Sequence, residues 1–424
     1  MNIGIIIGRI GDIDGVALET EKWIKILKKL GHTIYILSGN FKRSVVRTRN
    51  EHVWRSLSFF SPECEWEQNR AFFFPEFEQK ELLDHLDDTS NEIAFQIFKW
   101  VIKNKIGVIL TENSTSLPCH LSMGIGIKKA AQNLSIPFVT HNHDFYWERG
   151  DRYKSPHKKI KEIVENTFPL ILPNVRHAVI NSYSRDVYKK KFGFEPMVVP
   201  NVMDFNKPFA VKDKYNSDLL SSLGLDKKDI PIFQITRIVR RKGIEVAIDM
   251  VHKLQDKRVK LIITGSAADD ARKGYYKELL IRIKEKKLDK QVLFGHRSIL
   301  TDRGKGWRGK KIYSLSDAYA NAVACTYFST YEGFGNAFIE CVLAKRPIFV
   351  NNYEPVYWPD IGSKGFKTVM LEDNILTDKA LEDIERIMHN KKEQKEIGEY
   401  NFKIGKENFS LEVLEEKLEK LFKF

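Results

Sequence analysis

The feature that most constrains the fold is an alternation, repeated along the chain, of short β-branched runs with longer amphipathic stretches. In the first half, helical periodicity appears for example at residues 17–30 and 121–134. The strand-like runs between such stretches fall at 3–7, 33–37, 107–110, 137–140, 178–180 and 197–199. Because strands that alternate with helices form parallel sheets covered on both faces, this half predicts a doubly wound α/β domain.

The alternation stops in a polar stretch, residues 204–226, and then begins again. The new strand-like runs fall at 232–235, 260–264, 292–294, 322–327 and 347–350, and helical patterns separate them at 243–254, 275–287 and 336–344. We therefore predict domains 1–205 and 206–408, two Rossmann-like units that face a central cleft. The last segment, 409–424, has an apolar stripe at helical spacing and predicts a closing C-terminal helix.

Composition is that of a globular, cytoplasmic protein. No apolar run approaches the roughly 18 residues that cross a bilayer, and the first run lacks the basic start of a signal peptide. The four cysteines are scattered without a CxxC pair, so neither a zinc site nor a disulfide framework is indicated. The formal net charge of +13 favours an anionic ligand, an anionic membrane surface or nucleic acid, or else describes a lysine-rich solvated surface.

One motif of the second half has the order strand, glycine-rich turn and helix that is typical of an anion site. Small residues let the backbone approach a ligand, and the N–H groups of a helix N-terminus favour phosphate oxygens. Glu340, about one turn into the helix, could reach ribose hydroxyls, and Glu332, in the turn, could bind a donor sugar. Alone, the motif could equally be an ordinary turn with two surface glutamates. Its candidate residues are Ser329, Glu332, Gly333, Phe334, Gly335, Asn336 and Glu340.

A second motif in the same half, Thr236 to Gly243, also follows a strand and opens a helix. It holds Arg237 and Lys242, two cations five residues apart. Cations around such a turn can converge on a diphosphate leaving group. We therefore expect the two motifs to serve one ligand.

Four motifs, in this order along nearly the whole chain, resemble those of retaining GT-B glycosyltransferases of glycosyltransferase family 4. They are the pair His143-Asp144, the stretch Val199-Pro-Asn201, the pair Arg237 and Lys242, and the glutamates Glu332 and Glu340 separated by seven residues. The sequence departs from the family at Val202, where Gly is usual, and at Phe328, where Pro is usual. The stretch 297–311 is also longer and more basic than the family pattern.

The resemblance implies a hexosyltransferase that takes its hexose from a nucleotide-diphosphate sugar, such as a UDP- or GDP-sugar, and needs no cofactor. Arg237 and Lys242 would stabilise the departing diphosphate without a metal, and front-face attack would retain the anomeric configuration. Gly11 and Gly15 would lie near the donor phosphates, and His143 would contact the donor sugar. Asp12-Ile-Asp14 spells the metal motif of a different fold, and we assign it no metal.

The acceptor is predicted from the loop that follows His143. Aromatic rings can pack on a sugar face, and arginine binds carboxylate or phosphate in a bidentate manner, so a small anionic or sugar acceptor is expected. The arginines could instead only pair with acids nearby. The candidate acceptor residues are Glu112, Asn113, Asp144, Trp147, Arg149 and Arg152.

Several other functions fit parts of the sequence. A lipid-linked or cell-wall acceptor at the membrane surface would use the positive charge, and a nucleotide-sugar epimerase would share the fold. A nicotinamide dehydrogenase is disfavoured because residues 8–15 do not spell GxGxxG. A non-catalytic scaffold is disfavoured by the full set of donor residues, and a nucleic-acid partner by the lack of a binding motif. The sequence does not set the oligomeric state.

Overall fold

The computed structural model describes residues 1–75, 79–266 and 274–424. They form two compact units, which are described separately. Unit 1 comprises residues 1–201 together with 411–424, and unit 2 comprises residues 202–410.

Unit 1 is built on a seven-stranded parallel sheet with the strand order β3-β2-β1-β4-β5-β6-β7. Its strands are β1 (Asn2–Ile7), β2 (Thr33–Ser38), β3 (Glu51–Val53), β4 (Val108–Glu112), β5 (Phe138–Asn142), β6 (Val175–Val179) and β7 (Met197–Val198). Its first six helices are α1 (Gly15–Lys29), α2 (Pro62–Gln68), α3 (Gln79–Asn104), α4 (Leu121–Asn133), α5 (Lys158–Thr167) and α6 (Ser182–Phe192).

The core of unit 1 follows from strands that are apolar on both faces. Ile109 of β4 and Phe138 of β5 are fully buried in a cluster that includes Ile93 of α3 and Ile127 of α4. Helices α3 and α4 approach closely at Gly126, where a side chain would collide with Ile93. Continuous burial of this kind is typical of parallel sheets with helices on both faces.

Unit 2 repeats the design with a six-stranded parallel sheet in the order β10-β9-β8-β14-β15-β16. Its strands are β8 (Ile230–Gln234), β9 (Val259–Ile263), β10 (Val292–Phe294), β14 (Ala324–Tyr327), β15 (Ile348–Asn351) and β16 (Val369–Leu371). Its helices are α7 (Leu219–Ser222), α8 (Ile244–Leu254), α9 (Tyr275–Glu285), α10 (Leu315–Asn321), α11 (Asn336–Leu343), α12 (Asp378–His389) and α13 (Lys391–Phe409).

The basic stretch 297–311 belongs to a small separate sheet of unit 2, which the sequence pattern does not predict. Its strands are β11 (Ile299–Leu300), β12 (Gly304–Lys305) and β13 (Lys311–Ser314), in the order β11-β13-β12. The Tyr215 hydroxyl donates to the carbonyls of Gly304 at 3.1 Å and Ile312 at 2.8 Å. Arg303 pairs with Asp317, so one cation of this stretch has a structural partner.

The chain ends in helix α14 (Leu411–Leu421), which packs in unit 1. Leu414 and Leu418 are fully buried, and Lys29 of α1 pairs with Glu415 at 2.5 Å. The chain passes from unit 1 to unit 2 after residue 201 and returns to unit 1 after residue 410. Among the helices of the described residues, none combines the length and apolarity needed to cross a membrane.

The sequence-based prediction of two parallel, doubly wound α/β domains is confirmed. The predicted strand-like runs overlap the central strands of both sheets, because strands buried on both faces appear in the sequence as short apolar runs. The edge strands β3 and β16, each three residues long, were not predicted.

Candidate active site

Candidate residues in each unit follow the carboxyl ends of neighbouring strands. In unit 2, β8 lies beside β14, and the chain leaves these two strands toward opposite sides of the sheet. In unit 1 the same holds for β1 and β4. Ligands of open α/β sheets bind at such a topological switch point.

The two predicted motifs of unit 2 are joined by a hydrogen bond. The Thr330 N–H donates to the carbonyl of Arg241 at 2.8 Å, which ties the turn after β14 to the turn after β8. The side chain of Gln234 donates to the carbonyl of Lys242 at 2.8 Å, and Thr326 donates to Gln234 at 3.0 Å. The two turns are therefore held together by buried polar contacts between adjacent strands.

Glu332 lies at the junction of these turns, between two cations. Lys242 donates to one carboxylate oxygen, and Arg241 donates to the other at 2.8 Å. Arg241 also donates to the Tyr331 carbonyl at 2.7 Å. Both Glu332 and Lys242 are buried, so this pair lies in a medium of low dielectric.

Burial alone would raise the pKa of Glu332, but Lys242 and Arg241 outweigh it and lower that pKa below its usual value. For Lys242, burial lowers the pKa even though Glu332 opposes the change. Since the carboxyl is held in its charged form by two cations, we take the pair as ionised. The sequence-predicted Glu332 and Lys242 are thus in direct contact.

The remaining donor candidates of unit 2 lie around the same turn. Gly335 has φ of +127°, a conformation that favours glycine, and a side chain there would collide with the Tyr353 hydroxyl. As the N-cap of α11 it offers no side chain to cap the first turn. Phe334 is buried against Phe409, with ring centroids 5.6 Å apart.

Glu340 and Arg237 lie at the edges of this arrangement. Glu340 on α11 accepts a hydrogen bond from the Tyr319 hydroxyl at 3.1 Å. Arg237 is exposed in the turn after β8. Ser329 is fully buried, and its carbonyl accepts from Asn351 at 3.0 Å, whereas Gly333 and Asn336 are partly exposed.

In unit 1 the glycine loop after β1 leads into α1. Gly11 is buried with φ of +75°. Asp14 is the N-cap of α1, accepting from the N–H groups of Val16 at 3.0 Å and Ala17 at 3.1 Å, and Gly15 is the first residue of the helix. Asp14 of the formal DxD pattern therefore has a structural task, capping the helix.

Glu112, His141 and His143 meet at the ends of β4 and β5. Nδ1 of His141 lies 2.9 Å from Oε2 of Glu112, and Nε2 of His143 lies 3.9 Å from the same oxygen. Burial raises the pKa of Glu112 well above its usual value, lowers that of His141 to about 3 and lowers that of His143 well below its usual value. Their ligand atoms lie within 4.8 Å of one another, so this cluster could hold a metal ion.

Asn113 connects the two strand ends. Its side-chain oxygen accepts from the His143 N–H at 3.0 Å, and its amide nitrogen donates to Asp144 at 3.0 Å. Asn113 has φ of +50°, in the left-handed region that costs a non-glycine residue energy. Asp144 in turn pairs with Arg149, so part of the predicted acceptor set forms one network.

The other acceptor candidates lie in the short 3₁₀ segment Tyr146–Tyr153. Trp147 stacks on Phe145 at 4.6 Å, with Lys191 4.8 Å from its ring centroid. The Arg152 guanidinium lies 5.4 Å from the ring centroid of Tyr153. The structure thus gives Trp147 and Arg152 packing contacts within the loop.

Sequence reasoning assigned no role to three residues in direct contact with the candidates: Arg241, Tyr319 and His141. Arg241 was visible as the neighbour of Lys242 in a basic cluster. Tyr319 and His141 gave no signal, since their contacts depend on which elements are adjacent.

The arrangement of unit 2 is suited to an anionic ligand with hydroxyl groups. Lys242 and Arg241 contact Glu332, and the glycine turn that follows Glu332 opens α11. Cations, a helix N-terminus and a carboxylate are thus close together. Such a set can stabilise a phosphate while the carboxylates accept hydrogen bonds from hydroxyls. The buried cluster of unit 1 carries little net charge and is suited to neutral polar groups.

Comparison with known proteins defines the class. A family model described as glycosyl transferases group 1 matches residues 217–404. The chain is 33% identical over 449 residues to the mannosylglucosylglycerate synthase of Thermotoga maritima, and the match covers 98% of each protein. The chain therefore belongs to the group 1 glycosyltransferases.

Solved structures of glycosyltransferases share the fold. A glycosyltransferase of Rickettsia africae has a TM-score of 0.67 at 14% identity, covering 100% of this chain and 97% of that one. Anabaena HepE in complex with UDP-glucose has a TM-score of 0.64 at 14% identity, covering 100% of both chains. These neighbours confirm the predicted GT-B class of fold.

Proposed function

We propose that the chain is a retaining, metal-independent hexosyltransferase that moves a hexose from a UDP- or GDP-sugar to a hydroxyl of a small anionic sugar acceptor. The observation that carries the proposal is Glu332, buried between Lys242 and Arg241 beside the glycine turn that opens α11. This arrangement offers cations to a diphosphate and a carboxylate to a sugar within one turn. The UDP-glucose bound to Anabaena HepE supports a nucleotide-sugar donor.

The donor is bound mainly by unit 2. Arg237, Lys242 and the N-terminus of α11 bind the diphosphate, while Glu340 accepts hydrogen bonds from the ribose. Glu332 holds the donor sugar by its hydroxyls. In unit 1, we also assign the loop with Gly11 and Gly15 to phosphate binding, because a glycine loop that leads into a helix is suited to phosphate.

The reaction breaks the bond between the anomeric carbon and a phosphate oxygen. Positive charge develops on the sugar and negative charge on the diphosphate, which the cations stabilise without a metal. The acceptor hydroxyl attacks the same face that the phosphate leaves, and its proton passes to the departing phosphate oxygen. The configuration is thereby retained, and His143 contacts the sugar.

The acceptor proposal draws on a relative. The name of the Thermotoga protein describes a product made from mannose, glucose and glycerate, and glycerate carries a carboxylate. In this chain, Arg149 and Arg152 follow His143, and Asn113 and Asp144 form a polar network with Arg149. We assign these residues and Trp147 to a sugar acceptor with a carboxylate.

The test is a matrix of UDP-, GDP- and ADP-hexoses against two matched acceptors, glucosylglycerate and the neutral glucosylglycerol. We expect transfer with one nucleotide class, a retained anomeric configuration by NMR, and a lower KM for the charged acceptor. Arg149→Ala and Arg152→Ala should remove about tenfold of that advantage, as loss of a charged hydrogen bond predicts, and Arg185→Ala is the exposed control.

Each contrary outcome has a distinct meaning. Equal KM values for the two acceptors would contradict the anionic acceptor while leaving the donor site intact. Transfer only to a lipid-linked or cell-wall glycan would place the enzyme among membrane-surface transferases. Conversion of the donor sugar without any acceptor would indicate an epimerase.

A further inference from the structure

Two glutamates in unit 1 are fully buried beside two histidines each, and they differ in how completely they are hydrogen-bonded. Glu67 lies 3.2 Å from His85 and 3.4 Å from His120, and it also accepts from Ser122. Glu112 lies 2.9 Å from His141 and also interacts with Thr20, while among the described residues the Nε2 atoms of His141 and His143 have no hydrogen-bond partner. Buried polar atoms without partners are rare in native proteins, so the second cluster needs a functional explanation.

We infer that Glu112 and His141 are positioning residues, which hold the imidazole of His143 in the orientation in which it meets the donor sugar. The inference rests on the proposed function, because that proposal names His143 as the residue that contacts the sugar. It gives Glu112 a role through His143 in place of direct contact with the acceptor.

Burial decides which member of the cluster can reach a substrate. Glu112 and His141 have no exposed surface, whereas 9% of His143 is exposed. His141 is fixed from behind, since Trp23 stacks on its ring at 4.0 Å with an interplanar angle of 21°. Contacts thus run from the core through Glu112 and His141 to the surface at His143.

The position of His143 is set at both its backbone and its ring. The backbone N–H donates to Asn113 at 3.0 Å, which places the residue but leaves its side-chain torsions free. The ring lies 4.4 Å from the His141 ring, and its Nε2 lies 3.9 Å from Glu112. Glu112 and His141 therefore both lie against the His143 ring, where they can restrict its rotation.

Charge from the neighbouring helix does not account for the arrangement. Glu19 and Lys22 of α1 act on His141 and His143 respectively, and they pair with each other at 2.7 Å. Their opposite charges largely cancel across the cluster. The orientation of the His143 ring is therefore set by packing and not by an uncompensated charge.

The test is a double-mutant cycle between the positioning residues and His143. We expect Glu112→Gln and His141→Phe each to lower kcat about 10- to 100-fold, the loss that misplaced reacting groups typically cause, with donor KM nearly unchanged. Because they act through His143, either change combined with His143→Ala should be no slower than His143→Ala alone. Additive losses, or a change in KM only, would overturn the inference.

A matched control separates positioning from folding. Glu67→Gln removes an equally buried carboxylate and should lower the melting temperature without changing kcat. If Glu112→Gln fails to fold, His141→Phe still tests the contact, because phenylalanine keeps the stacking on Trp23. A loss of kcat in Glu67→Gln equal to that in the test variants would show that any damage to this core lowers the rate.

A measurement without turnover keeps the inference distinct from the proposed function. In protein labelled at the histidine rings, the His143 NMR signal should shift in Glu112→Gln and stay in place in Glu67→Gln. If no donor supports transfer by wild type, the proposed function fails, and these signals still decide whether the contact positions the ring. One metal ion per chain by elemental analysis would overturn the inference, since the three side chains would then be ligands.

Discussion

Glu332 in unit 2 and Glu112 in unit 1 are both buried, yet their surroundings are opposite. Glu332 accepts from two cations, Lys242 and Arg241, which lower its pKa. Glu112 lies beside two imidazoles and Thr20, and burial raises its pKa well above the usual value. The surroundings of Glu332 thus maintain a charged carboxylate, whereas those of Glu112 favour the neutral form of the same side chain.

This difference matches the ligands that the two regions are proposed to bind. A diphosphate needs fixed positive charge, which is most effective where water is excluded. A sugar ring presents neutral hydroxyls, which a few precisely placed polar groups can bind without a surplus of charge. Each prediction tests one side of this contrast.

The largest effect is expected at the charged site of unit 2, around Glu332. Lys242→Ala would leave Glu332 with Arg241 alone and remove a cation from the leaving group, so kcat should fall about 10²- to 10³-fold. Arg240→Ala is the control, because Arg240 is exposed and pairs with Glu278. Steady-state kinetics would contradict the contrast if both variants lost activity equally or neither did.

A smaller effect is expected at the ribose position of the same unit. Glu340→Ala should weaken nucleotide binding about tenfold or more, because hydrogen bonds to a charged acceptor are lost. Glu332→Ala should instead lower turnover. Calorimetry with UDP and GDP measures the first effect, and near-native values in both variants would refute the assignment.

The stability of the two glutamate variants should respond to pH in opposite directions. Glu332, with a lowered pKa, stabilises the fold above its unfolded value of about 4.3, and this contribution is lost as pH falls through its native pKa. Glu112, with a raised pKa, stabilises the fold at low pH, and this contribution is lost as pH rises toward its native pKa.

Relative to wild type, Glu112→Gln should therefore gain stability as pH rises above that unfolded value. Glu332→Gln should instead lose stability relative to wild type as pH rises toward the same value from below. Urea denaturation between about pH 3 and pH 5 measures the Glu332 slope, and between about pH 5 and pH 8 it measures the Glu112 slope. Slopes of the same sign would remove the contrast between the units.

The smallest expected effect is that of metal removal. Since Arg237 and Lys242 supply the positive charge at the diphosphate, activity in EDTA should stay within about twofold of the untreated enzyme. Loss of activity that magnesium or manganese restores would show that the cations of unit 2 are insufficient. Nucleotide titrations with and without the ion would then show whether it acts at the phosphates.

The sequence alone determined the fold class and the place of the donor motifs. Apolar runs of three to six residues at strand spacing suffice for two parallel sheets, because such strands are buried on both faces. Glu332 and Lys242 were found because each lies in a turn whose strand, turn and helix order is readable locally. The contact between them required the further fact that β8 and β14 are neighbours in one sheet, which only the structure shows.

Only the tertiary structure decided which side chains meet. His141 and Glu112 are 29 residues apart and pair because β4 and β5 are adjacent in register, with Glu112 opposite His141. The contact of Arg241 with Glu332 depends in the same way on how the two turns fold against each other. A local sequence pattern shows whether a segment is a helix or a strand and which residues lie in a turn. Which side chains are buried together and which pair depends on the register between strands distant in sequence, and no single segment encodes that register.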